Sequence, residues 1–229
     1  MNEMKFHERT DGLLVVIEGI DGSGKSTLIK NLAASPEFNS SFDNPAITTK
    51  EPTRGAPTYP MTKKEELDWF LTERGLNQAM VTRPALDQGA IVLQDRSWHS
   101  TLAYQGEHFS QEEIIAEMDK RPPLLPDVLI LLDIDPKEAW IRIEERRMEN
   151  DPQHHQEDVH QLMFDRMQRI RDRYRAMIVG PMIPAKTRVI ELDAEQPPEV
   201  LAKKAMAIIR SALDAKAKVK GKQSGQSGT

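Results

Sequence analysis

A run of branched apolar residues, Leu13–Glu18, hands over directly to Gly19-Ile20-Asp21-Gly22-Ser23-Gly24-Lys25-Ser26-Thr27. The run is short, nearly continuous and rich in Val, Leu and Ile, the pattern of a strand buried on both faces. The segment after it satisfies G-x-x-x-x-G-K-[ST]. Its glycines let backbone N–H groups turn inward around phosphate oxygens, while the following helix points its positive end at the same anion. Lys25 is placed to reach the β- and γ-phosphates of a nucleotide and the Ser26 hydroxyl to ligate Mg²⁺. Gly19, Asp21, Gly22, Ser23, Gly24 and Thr27 complete the cradle. A strand, loop and helix joined in this way confine the chain to α/β architectures built on parallel strands.

The rest of the sequence repeats the alternation. Apolar runs at 91–93, 128–132 and 189–192, with a weaker one at 46–49, predict further strands. Amphipathic stretches at 65–86, 111–118, 137–148, 159–178 and 199–213 predict helices between them. Asp135-Pro136 and Pro197-Pro198 each place a proline at a helix start, and Pro122-Pro123 closes a helix before the fourth strand. The expected fold is a three-layer α/β domain: a five-stranded parallel sheet with helices on both faces. A chain of 229 residues is a prior for one large domain, and residues 1–214 are assigned to it. From 215 to 229 the sequence AKAKVKGKQSGQSGT predicts a disordered basic and polar tail.

Composition narrows the chemistry. The net charge of −5 argues against a nucleic-acid scaffold, and the absence of Cys removes thiol nucleophiles and thiolate zinc sites. No apolar run approaches the roughly 18 residues of a membrane span, and MNEMKFHERTDG does not resemble a leader, so a cytoplasmic protein is expected. No N-K-x-D sequence is present to read guanine. Asp95 and Asp133, which end strands, are not followed by the Glu with which an ATPase motor polarises water. Small-molecule phosphoryl transfer is left in front.

Three further segments fall in order after the phosphate loop: Lys50-Glu51-Pro52-Thr53-Arg54-Gly55, Phe70-Leu71-Thr72-Glu73-Arg74 running on to Pro84-Ala85-Leu86, and Asp95-Arg96 followed by Ser100-Thr101-Leu102-Ala103-Tyr104-Gln105-Gly106. With the phosphate loop they resemble the thymidylate kinase family, its bacterial form most, over about residues 12 to 210. The resemblance implies a P-loop nucleoside monophosphate kinase fold, transfer of the ATP γ-phosphoryl group to thymidine monophosphate with Mg²⁺, provision of the diphosphate for thymidine triphosphate synthesis, and a homodimer packed through helices. The alternatives are a kinase for another or modified pyrimidine nucleotide, or a non-catalytic nucleotide-binding module. The segment 52–70 is shorter than in bacterial members, which bears on the acceptor.

The same resemblance distributes roles. Asp21 meets the acceptor's 3′-hydroxyl. Phe70 and Arg74 lie four apart on one helix face, so a ring can stack on a pyrimidine while a guanidinium donates to its carbonyl oxygen. Arg96 clamps the acceptor phosphate with Arg54 as a second clamp, and Asp95 positions the metal or its waters. Ser100, Thr101, Tyr104 and Gln105 form the nucleoside pocket. A lid at about 142–158 supplies a cation, from Arg146 or Arg147, to the transferring phosphoryl group, while Arg142 and Gln196 flank ATP. Arg169 and Arg173 face the lid or the nucleotide. The histidines at 154, 155 and 160 lack the H-E-x-x-H spacing and read as part of a solvated lid.

Overall fold

The computed structural model of the chain describes residues 4–7, 11–36, 38, 46–51, 59–150 and 160–224. Among these, β1 (Leu13–Glu18), β2 (Ala46–Lys50), β3 (Ile91–Asp95), β4 (Val128–Asp133) and β5 (Arg188–Asp193) form one sheet in the order β2-β3-β1-β4-β5. Every pairing is parallel. The central strands β1 and β3 are buried along their whole length, whereas β2 alternates exposed and half-buried residues at the edge. Continuous apolar runs thus mark the centre, and the weaker run at 46–49 marks an edge.

The two-residue period of a strand divides β1 between two cores. Leu13, Val15 and Ile17 pack with Leu28, Trp98 and Ile170 on one face, while Leu14 and Val16 pack with Leu86, Val92 and Leu124 on the other. The helices are α1 (Lys25–Ala34), α2 (Lys63–Asn77), α3 (Arg83–Asp87), α4 (Trp98–Gln105), α5 (Gln111–Met118), α6 (Pro136–Asn150), α7 (His160–Val179) and α8 (Pro198–Ser224). The predicted helix at 65–86 is present but interrupted. A π-helical turn, Gln78–Thr82, joins α2 to α3, with the Arg83 N–H bonded to the Gln78 carbonyl five residues back. Reciprocal capping boxes, Thr62 with Glu65 and Ser110 with Glu113, start α2 and α5. At α6 the Asp135 carboxylate accepts the Lys137 N–H at 2.8 Å, just before the first turn that Pro136 pre-sets.

The tail differs from expectation. Helix α8 continues through 215 to Ser224, so of the segment expected to be disordered only 225–229 lies outside the described residues. Alternating Ala and Lys are strong helix formers, and Lys216 gives the extension a tertiary anchor. Its ammonium donates to the Gly12 carbonyl and lies 3.2 Å from the Asp127 carboxylate, which itself accepts the Leu14 N–H at 3.0 Å. Helix α8 is therefore fastened at Lys216 to the beginning of the central strand. Truncation after Asp214, or Lys216→Ala alone, is expected to lower stability by about 1–2 kcal/mol. Thermal denaturation checks this, since removal of an unstructured tail would leave the midpoint unmoved.

Candidate active site

All five strands run parallel, so their carboxyl ends meet on one edge of the sheet, and β1 passes there into the phosphate loop. Gly22 has φ 82°, and a Cβ on it would lie 2.2 Å from the Ala139 carbonyl oxygen, so conformation and space both demand glycine. Gly24, at φ 89°, caps α1 with no side chain on the helix end, and the first α1 N–H groups face the loop. Lys25 is buried and donates to the Gly19 and Ile20 carbonyls at 3.0 and 2.8 Å.

The register of the sheet sets Asp95 level with Ile17 on one side and Lys50 on the other. Across the loop, the Ser26 hydroxyl donates to Asp95 Oδ2 at 2.6 Å, while Asp95 Oδ1 is buried with no hydrogen-bond partner among the described residues. A hydroxyl and an unsatisfied carboxylate oxygen beside a phosphate-binding loop suit a hard divalent cation that takes its other ligands from phosphate and water. The cavity here measures about 490 Å³. It is lined by the loop from Asp21 to Thr27, by Asp95 and Arg96, and by Arg142, Arg146 and Gln196 at its far end.

A second cavity, of about 320 Å³, adjoins it. Phe70 and Arg74 from α2, Ser100, Thr101, Tyr104 and Gln105 from α4, and Asp21 and Arg96 line its walls. The expected acceptor residues are thus gathered in one place, with the exception of Arg54, which lies outside the described residues along with 151–159 of the lid segment. Asp21 and Arg96 border both cavities.

Arg96 holds the boundary. Its guanidinium pairs with Asp21, and it donates to Ser100 Oγ at 3.0 Å and to the Tyr104 hydroxyl at 3.3 Å. Against the desolvation of the cleft, Arg96 and Lys25 hold the Asp21 carboxyl below its ordinary range. The Arg74 guanidinium is buried, donating to Glu51 at 3.0 Å and to the Thr101 hydroxyl. Burial pushes the Glu51 carboxyl up to about 7 against the pull of Arg74.

Not every predicted residue faces a cavity. Arg147 turns away: it pairs with Glu144 at 2.7 Å and lies over the Trp140 ring. Arg169 pairs with Glu107 at 3.3 Å, and Arg173 donates to the Ala103 carbonyl at 3.1 Å near the end of α4. Sequence reasoning misses Glu18, Glu51 and Arg166. Glu18 is legible as a carboxylate ending a buried strand. Arg166, which lines the second cavity and pairs with Glu107 at 2.7 Å, looks in sequence like any helix-surface cation.

Burial, and then the charge of Arg96, pull the Lys25 ammonium down to about 7. Unfolded, the side chain keeps its ordinary value of 10.5, so the unfolded chain holds more protons between about 7 and 10.5 and this group makes stability rise with pH across that interval. A polyphosphate in the loop favours the charged form. Nucleotide binding at about pH 8 should therefore take up a proton, seen as a dependence of the calorimetric enthalpy on the buffer's ionisation enthalpy. Lys25→Met should abolish that dependence.

Comparison with known proteins places these features. The family model described as thymidylate kinase matches residues 17–204. The thymidylate kinase of Xanthomonas campestris pv. campestris is 32% identical over 212 residues, covering 88% of this chain and 85% of its own. That of Xanthomonas oryzae pv. oryzae is 32% identical over 219 residues, 92% of this chain and 88% of its own. That of Akkermansia muciniphila is 36% identical over 152 residues, 62% of this chain and 72% of its own.

Proposed function

The chain belongs to the thymidylate kinase family, and on that premise we propose that it transfers the γ-phosphoryl group of ATP to the phosphate of thymidine monophosphate, giving ADP and thymidine diphosphate. The observation that carries the reading is the pair of adjoining cavities sharing Asp21 and Arg96, one at the phosphate loop and one lined by Phe70, Arg74 and Thr101. ATP lies with its phosphates in the loop and its base toward Arg142 and Gln196. The pyrimidine stacks on Phe70 and meets Arg74.

The acceptor phosphate is anionic at neutral pH, so no general base is needed. One of its oxygens forms the new bond to the γ-phosphorus as the bond from that phosphorus to the ADP oxygen breaks. What the protein supplies is alignment of two anions that repel each other, and positive charge between them. Arg96 holds the acceptor phosphate at the boundary, Asp21 receives the 3′-hydroxyl, and Lys25 neutralises the donor phosphates. Of the two lid candidates, Arg146 lines the phosphate cavity and Arg147 is engaged elsewhere, so Arg146 is the cation offered to the transferring group. Ser26 and Asp95 would hold magnesium, whose positive charge would offset that of the donor phosphates.

No described helix is long and apolar enough to cross a membrane; the proposed setting is the cytoplasm, where both nucleotides are found. Pairing of two copies is proposed through α2 and the π-helical turn, where Leu76, Met80 and Val81 are 45%, 75% and 40% exposed. Burying such a patch between copies removes apolar surface from water. Met80→Glu should shift the protein toward monomer in sedimentation velocity.

A coupled ADP-release assay across nucleoside monophosphates tests the function. Thymidylate is expected to be preferred, and Arg96→Ala to reduce kcat/KM for it by about 10²–10³-fold. Turnover with another pyrimidine nucleotide alone would move acceptor choice to the shortened segment 52–70, and the absence of any turnover would leave a binding module.

A further inference from the structure

Arg96 has φ 71° and is the one non-glycine residue with positive φ among those described. A long side chain in the left-handed region is held there against a steric preference, and the surroundings must over-determine it. The Arg96 N–H is bonded to the Ile17 carbonyl at 3.0 Å, which fixes one side of the turn. Its carbonyl is held from another direction by the Gln94 side chain, whose Nε2 donates to it at 2.9 Å. Gln94 is buried within β3, where an apolar residue would pack equally well and leave no polar group to satisfy. At the other end of the amide the hydroxyl of Thr82, also buried, donates to Gln94 Oε1 at 3.4 Å. A carbonyl can only accept, so the Arg96 carbonyl fixes the orientation of the amide: the NH₂ faces Arg96, and Oε1 is left to accept from the Thr82 hydroxyl.

From this arrangement we propose that Gln94 is a positioning residue for phosphoryl transfer: it locks the left-handed turn that aims the Arg96 guanidinium at the boundary between the two cavities, with Thr82 holding the other end of its amide. Neither side chain lines either cavity, so both act through Arg96. The inference rests on the reading of Arg96 as the clamp on the acceptor phosphate. It adds a structural route from the exposed apolar segment to the reacting groups, since Thr82 closes the π-helical turn that carries Met80 and Val81.

The test compares Gln94→Met, which keeps length and loses the donor, with Thr82→Val, in the wild-type and Arg96→Ala backgrounds. Each protein is assayed with ATP, magnesium and thymidylate, and its thermal midpoint is measured. In the wild-type background Gln94→Met should reduce kcat/KM for thymidylate by about ten-fold while the KM for ATP moves less than about two-fold. Thr82→Val should give the same split with a smaller loss. In the Arg96→Ala background neither change should cost anything further, because both act through the missing guanidinium.

Thymidylate constants within about two-fold of wild type for Gln94→Met, or an equal loss in both backgrounds, would overturn the proposal. So would a parallel rise in the KM for ATP, the mark of a general structural defect. If Gln94→Met does not fold, Thr82→Val decides by the same criteria. Failure of the wild-type protein to use thymidylate, or an unimpaired Arg96→Ala, would instead overturn the functional reading beneath it.

Discussion

Glu18 ends the central strand with its carboxylate buried, and it accepts the Ser97 N–H at 2.7 Å, the Ser100 N–H at 3.3 Å, the Ser100 hydroxyl at 2.7 Å and the Tyr174 hydroxyl at 2.9 Å. A charge in that position is tolerable only when its oxygens are fully engaged. Burial pushes the carboxyl up, but His99, Arg96 and Ser100 together hold it below the ordinary range. The donors come from the start of α4 and from α7, so the charge draws both helices onto the end of β1. Ser100 and Tyr104, which flank Arg96, are consequently carried by a helix whose first turn is tied to the strand that feeds the phosphate loop. The boundary between the two cavities is thus fixed from behind.

That arrangement explains why the two cavities meet at charged residues instead of an apolar wall. Donor and acceptor are both anions, and bringing them together in a partly desolvated cleft is opposed by a repulsion much larger than in water. In the proposed reaction Arg96 answers it directly. Asp21 holds the guanidinium at the boundary, and the bidentate pair of Arg171 with Asp133, at 2.6 and 2.7 Å, pins α7 to the end of β4. Asp21, Asp95 and Asp133 at the loop end of the sheet thus each have an assigned cation or hydroxyl, which in the proposed reaction leaves Lys25 for the donor phosphates.

Much of this is legible in the amino-acid sequence alone. The phosphate loop, the alternating strands and helices, and the residues of α2 and α4 that line the acceptor cavity can all be read there, because each depends on local spacing: a turn needs its glycines, and helix neighbours recur every three or four residues. What escapes such a reading depends on distance along the chain. Glu18 with Tyr174 and Glu51 with Arg74 are joined only by the topology. Arg146 and Arg147 are adjacent and chemically identical in sequence, yet the helical rotation between them points one into the cavity at the Gly19–Thr27 loop and the other at Glu144. The extension of α8 is hidden because Ala-Lys repeats suit an unfolded tail as well as a helix, and the choice is made by the contact of Lys216 with Asp127, far away in the chain.

The π-helical turn at Gln78–Thr82 carries one residue more than the α-helical turns around it. An α-helix rotates by about 100° per residue, so an inserted residue would normally swing everything beyond it to a different face. Here the widened turn absorbs the extra residue, leaving Thr82 facing inward and Met80 outward. A helix that must keep both of its faces can take up one further residue in this form without turning either face away. An uninterrupted α-helix would present the same two faces with one residue fewer between Arg74 and Leu86.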